Sequence, residues 1–168
     1  LVPFASSFAM FAAGRAFEQV RNSIGYPHLN VKIGATHGGI SVGEDGASHQ
    51  CVEDLAIMRS LPNMVVMSPC DAQETRFAIK AAIEHEGPVY LRLGRLGVEE
   101  LYTEDQKFEL GKGITLHEGN DITVVATGLC VSEALKACKS LKAEGVNVRL
   151  INIHTIKPLD KEAVLKAV

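Results

Sequence analysis

Residues 35–50 gather more potential chemistry than any other stretch of the chain. The run Ala-Thr-His-Gly-Gly-Ile-Ser-Val-Gly-Glu-Asp-Gly-Ala-Ser-His-Gln holds two imidazoles (His37, His49), two adjacent carboxylates (Glu44, Asp45) and glycines at 38, 39, 43 and 46. Imidazoles that titrate near neutrality, set beside carboxylates, suit proton transfer and hydroxyl recognition. The glycines let the backbone turn tightly and come close to a ligand. A nucleotide phosphate loop is excluded, because Glu44 and Asp45 stand where Lys and Ser/Thr are required and would repel a polyphosphate. His37, Asp45 and His49 carry donor atoms for a metal, yet their spacing is not that of a zinc site, and no metal ligand is assigned. A glycine-rich connection whose histidines only cap or hydrogen-bond is the competing reading of the same spacing.

Three further features lie outside this run. Phe8 and Phe11 are three residues apart, which on a helix puts both rings on one face and reads equally as core packing. Arg95 follows a buried strand at its carboxyl end, the place for a phosphate or carboxylate clamp or for a surface ion pair. Gly128 sits between a strand and a helix and is explained by a tight turn.

The elements that must position these groups alternate. β-branched runs at 31–36, 64–68, 89–93, 122–127 and 148–153 read as buried strands, with helical periodicity between them. A helix is expected from Phe4 to about Asn22, a second over 49–61 capped by Ser48, a third over 72–85 capped by Asp71, and a fourth over 131–144 ended by Gly145. The class is α/β: two doubly wound, largely parallel-sheet units with helices on both sides. The charged segment 97–113 suits a solvated linker, which places the units at 1–105 and 106–168. The first unit lacks a clear opening strand. The chain starts without Met near a helix start and stops inside the helical pattern DKEAVLKAV, so a fragment is expected.

Composition narrows the function. With 17 Lys and Arg against 20 Asp and Glu, mixed in both halves, there is no electrostatic footprint for nucleic acid. An apolar content of 46% rules out a disordered chain. The apolar opening 1–13 has no basic flank and is too short to span a bilayer, so no membrane address is read. Cys51, Cys70, Cys130 and Cys138 form no C-x-x-C pair, and four reduced thiols in a cytoplasmic protein is the plain reading.

The runs SSFAMFAAGRAFEQVRNS, ATHGGISVGEDGASHQ, LPNMVVMSPCDAQE, GPVYLRLGR and VRLINIHTIKPLD, in that order over nearly the whole chain, resemble transketolase, in particular the C-terminal subunits of split microbial transketolases. The string T-H-x-x-I-x-x-G-E-D-G-x-x-H-Q is the specific element. 1-Deoxyxylulose-5-phosphate synthases and 2-oxo acid dehydrogenase β subunits share the architecture and usually depart from the G-E-D-G-x-x-H-Q wording.

The resemblance implies a pyrimidine-binding domain followed by part of a C-terminal domain. It implies thiamine diphosphate with Mg (or Ca or Mn), and transfer of a two-carbon ketol unit between sugar phosphates, as in the pentose phosphate pathway. By motif position Phe8 and Phe11 would pack on the aminopyrimidine ring, and Gly14 stands where many relatives have a third aromatic. His49 would act beside the reacting carbonyl, Asp45 would pair a substrate hydroxyl, and His37 with Arg95 would bind the sugar phosphate. The family's cofactor-activating glutamate falls upstream of Leu1, and its G-D-G metal motif is not in this sequence. A diphosphate-binding N-terminal subunit would therefore hold the metal, and the chain alone is expected to be inactive and to self-associate as a homo-oligomer. The competing expectations are a pyruvate-using relative and a non-catalytic regulatory subunit.

Overall fold

The computed structural model describes residues 1–167. The expected buried runs form β2 (Lys32–Thr36), β3 (Val65–Met67) and β4 (Val89–Arg92), and these join β1 (Phe4–Phe8) in a parallel ladder. β1 corrects the expectation of a helix from Phe4 and of a missing first strand. Phe4, Phe8 and Phe11 satisfy a helical spacing, but main-chain pairing with β2 from Phe4↔Lys32 to Phe8↔Thr36 overrides it. Ser6 Oγ adds a bond to the Gly34 carbonyl at 2.9 Å. Helical structure begins only after Phe8. It widens to π-type over Met10–Arg15 and Val20–Gly25 and is α-helical over Phe17–Gln19 (α1), with Ala16 N–H reaching back five residues to the Phe11 carbonyl.

Period-two alternation in the strands feeds two apolar layers. Ile33, Ala35, Val66 and Tyr90 pack with Ala9, Ala12, Ala13 and Val20 and with Met58 of α2 (Asp54–Ser60). Val65, Met67, Val89 and Leu91 pack on the opposite side with Ala78 and Ala82 of α3 (Ala72–Glu84). α2 starts later than expected. Gly39 N–H donates to the Cys51 carbonyl at 2.7 Å, so the chain is still bonded to the loop at residue 51. Ser48 Oγ lies 2.9 Å from His49 Nδ1 instead of capping a helix.

A second, three-stranded sheet has the order β5-β7-β6, from β5 (Ile114–His117), β6 (Ile122–Ala126) and β7 (Val148–Asn152). β6 and β7 are parallel, whereas β5 runs antiparallel to β7. α4 (Cys130–Ala143) packs on this sheet and ends before Gly145, which has a φ of 86°. β8 (Thr155–Lys157) leaves the second sheet and pairs antiparallel with β3, giving the first sheet the order β1-β2-β4-β3-β8. α5 (Lys161–Lys166) follows, with Ala163 N–H donating to Asp160 at 3.0 Å. Val168, the end of the expected terminal helix, lies outside the described residues. No helix among the described residues is long and apolar enough to cross a membrane.

The segment after Gly97 is held, not merely solvated. Asp71 caps α3 through the Glu74 N–H at 2.6 Å, and its other oxygen accepts from the N–H groups of Leu101 and Tyr102 at 2.7 and 2.9 Å. Asn152 Nδ2 of β7 donates to Glu74 Oε1 at 2.8 Å and to the Tyr102 hydroxyl at 3.0 Å. Phe108 stacks on buried His154 with ring centres 4.1 Å apart. The charge of 97–113 suggested exposure, but three apolar or aromatic anchors, Leu101, Tyr102 and Phe108, pull it onto the protein.

Two outcomes follow from this junction. Asp71→Ala removes a cap and two bonds to a carboxylate, and is expected to cost about 2–4 kcal/mol of stability, read as a lower urea midpoint. Burial pushes the His154 imidazole down from 6.5 to about 4. The unfolded chain therefore takes up a proton that the folded one refuses between those values. Stability is present above pH 6.5 and falls as the pH drops toward 4, by up to about 3 kcal/mol from this group. His154→Gln should remove that component, checked by denaturation curves at pH 7 and pH 4.5.

Candidate active site

The parallel ladder brings the carboxyl ends of β1, β2, β4 and β3 to one rim, where open α/β sheets bind ligands. Phe8 ends β1 opposite Thr36, which ends β2. The next residue, His37, therefore stacks on Phe8 with ring centres 3.7 Å apart and planes within 16°. Phe11, at the start of the helical segment, lies parallel to Phe8 at 6.0 Å. His49 meets both rings edge-on, 5.9 Å from Phe8 and 5.3 Å from Phe11. Phe8 and Phe11 thus share the site across a strand–helix junction, not on one helical face as the spacing suggested. His37 adopts a φ of 60°, and its Nδ1 lies 2.9 Å from Thr36 Oγ1.

The rest of the loop sits on the same rim. Asp45 is half-buried at the end of a short 3-10 turn, Gly43–Asp45. Arg95 Nη2 donates to Glu44 Oε1 at 3.1 Å, with both side chains exposed, so the surface ion pair weighed for Arg95 is present and ties it to the loop. The Glu44 carboxyl is held below its ordinary range by its own backbone N–H and then by Arg95. Gly128 adopts a φ of 55° in the tight turn read for it.

Sequence reading missed two groups. Arg15 places its guanidinium 4.6 Å from the Phe11 ring centre, which the i, i+4 spacing from Phe11 could have signalled. Behind the loop, fully buried Asp54 accepts from the Tyr90 hydroxyl at 2.9 Å and from Arg92 Nε at 3.2 Å. An arginine inside an otherwise apolar strand was the available signal.

Among the described residues, no group of three or more His, Cys, Asp or Glu side chains is gathered for a metal. Phe11 also walls a cavity of about 430 Å³ with Ser6, Ser7, Ala12, Arg15 and Gln19 among its lining. An aromatic wall beside a cavity of that size fits a flat heteroaromatic ring. No carboxylate lines it, and the nearby Glu18 accepts from Asn22 Nδ2 at 2.6 Å. The position beside Phe11 that lacks an aromatic, Gly14, is covered by Met10, whose Cε lies 2.7 Å from where a Cβ would stand.

Comparison with known proteins gives two family matches: the transketolase pyrimidine binding domain over residues 1–99 and the transketolase C-terminal domain over 111–168. A putative transketolase C-terminal section of Methanocaldococcus jannaschii is 51% identical over 168 residues, covering 99% of this chain and 53% of its own. A 6-deoxy-6-sulfo-D-fructose transketolase subunit of a Clostridium species is 42% identical, covering 99% of this chain and 52% of its own. The chain spans about half the length of these curated relatives. Among solved structures, a split-gene transketolase described as an inactive beta4 tetramer superposes with a TM-score of 0.91 at 55% identity, covering 99% of this chain and 53% of that one. A mutant transketolase from Pichia stipitis in complex with fructose 6-phosphate gives 0.83 at 32%, covering 98% of this chain and 25% of that one.

The packing under the loop sets a contrast between two glycines. A Cβ at Gly38 would collide with Arg92 Nε and lie 3.0 Å from its Cζ, whereas Gly94 has nothing within 4 Å. Gly38→Ala is expected to cost about 1–3 kcal/mol through overpacking, and Gly94→Ala to stay within about 0.5 kcal/mol of the parent. Chemical denaturation of the two variants side by side reads the difference.

Proposed function

Because the chain belongs to the transketolase family, we propose that it supplies the aminopyrimidine pocket and the substrate-recognising side chains of a thiamine diphosphate-dependent ketol transferase. The observation that carries this reading is the cluster Phe8, Phe11, His37 and His49 on the rim of the parallel sheet. When bound, the cofactor supplies the electron sink that lets a carbon–carbon bond beside a carbonyl break. Phe8 and Phe11 give its ring an apolar seat. None of the residues lining the cavity beside Phe11 is an acid, so ring activation is left in this proposal to a group outside that lining.

In this reading His49 donates a hydrogen bond to, or moves a proton at, the reacting oxygen. Asp45 pairs a substrate hydroxyl and so discriminates against analogues without it. His37 and Arg95 bind the terminal anionic group, Arg95 through its planar fork. A diphosphate-binding partner subunit holds the metal, and this chain self-associates; relatives named as transketolase sections and subunits support the first, and one described as an inactive beta4 tetramer supports the second. Two relatives are named for a sulfo-sugar and for apulose 4-phosphate. The substrates are therefore assigned as a ketose donor and an aldose acceptor carrying a terminal oxyanion. A cytoplasmic setting is part of the proposal, in keeping with four free thiols.

The test uses the full-length subunit with its diphosphate-binding partner and follows two-carbon transfer from fructose 6-phosphate to an aldose phosphate. His49→Ala should lower kcat by about 10²–10⁴-fold, and Asp45→Ala should narrow the preference between donors that differ at one hydroxyl. Pyruvate consumption without ketol transfer, or cofactor-independent assembly without either, would sink the proposal.

A further inference from the structure

We propose that Arg92 is a positioning residue: with Asp54 and Tyr90 it forms a buried clamp that fixes His37 for recognition of the substrate's terminal anion. The inference rests on the role assigned above to His37. Asp54 is fully buried, and its Oδ2 takes both the Tyr90 hydroxyl and Arg92 Nε. Burial and the neighbouring carboxylate push the Tyr90 hydroxyl far above its ordinary range, which keeps it a neutral donor. Nε donates to Asp54, which orients the guanidinium, while Gly38 lies against its Nε–Cζ bond and Gly39 beside Nη2.

The fit there is close. A Cβ on Gly39 would lie 2.9 Å from Arg92 Nη2, and one on Gly38 3.1 Å from Arg92 Cδ. The two peptides after His37 therefore rest on the flat face and edge of one side chain. They are pinned from either side, Gly38 N–H to the Leu93 carbonyl at 3.0 Å and Gly39 N–H to the Cys51 carbonyl at 2.7 Å. His37 itself holds a φ of 60°, a left-handed conformation uncommon for a non-glycine residue. A gap under Gly38 would let that residue relax to negative φ and swing its ring away from Phe8. None of the three clamp residues belongs to the ring cluster, so each acts through the backbone of the loop.

The experiment uses the full subunit with its partner and the variants Arg92→Lys and Tyr90→Phe. Lysine keeps a positive charge facing Asp54 but removes the planar support; phenylalanine removes only the hydroxyl that orients Asp54. In Arg92→Lys the KM for fructose 6-phosphate should rise about tenfold with kcat within about twofold, while the KM for unphosphorylated fructose stays unchanged. Tyr90→Phe should shift the same KM in the same direction by less. The His37 imidazole NMR signals should move in both variants while those of His117 do not. Unchanged KM values with an unmoved His37 signal would overturn the clamp. Equal losses with both donors, together with a lower melting temperature, would make Arg92 structural only. If the parent complex transfers no ketol unit, the function proposed above fails, whereas the His37 signals still decide whether the clamp exists.

Discussion

The parallel register of the first four strands is the constraint on which the site depends. Because β1, β2, β4 and β3 all run the same way, their last residues arrive at one edge without any loop having to travel far. Phe8 and Thr36 are direct ladder partners, so the stacking of Phe8 on His37 follows from one more residue of chain. The loop to Cys51 then needs only to fold back over that edge. Its glycines serve this at Gly38 and Gly39, where the peptide passes against Arg92, and at Gly46, where φ is 73°.

A second set of buried polar groups joins the sheets. Glu74 is fully buried between the Cys70 N–H and the Asn152 amide, and Tyr102 completes the set. Burial raises the Glu74 carboxyl above its usual range while the hydrogen bonds pull the other way. Removing one member would leave its partners buried without hydrogen bonds, a larger loss than any single bond contributes. The join is therefore specific in geometry, in contrast to a greasy contact that tolerates sliding.

Where the sequence could be read and where it could not follows from how local each signal is. α3 and α4 carry their own stop and start signs in Asp71 and Gly145, and they form close to where those residues put them. The strands β2, β4, β6 and β7 were visible as β-branched runs for the same reason, although β6, expected to be buried, leaves Ile122 and Val125 exposed. β1 was not, because Phe4–Phe8 has little apolar alternation of its own and owes its shape to pairing with β2. β8 is three residues long and is a strand only by virtue of β3. At the site, the loop residues were legible from type and spacing. Asp54 and Arg92 were not, since 38 positions separate two charges that matter only as a pair.

The placement of β8 bears on what counts as a module here. Residues beyond the second sheet return to form the outer strand of the first, so the border drawn along the sequence and the border drawn through space do not coincide. A gene rearrangement that exchanged only the stretch before residue 100 would strip β3 of a hydrogen-bonded neighbour and expose its edge to chance pairing. Shuffling would succeed only if both segments travelled together. The unit that carries the first sheet complete is thus larger than either family match taken singly.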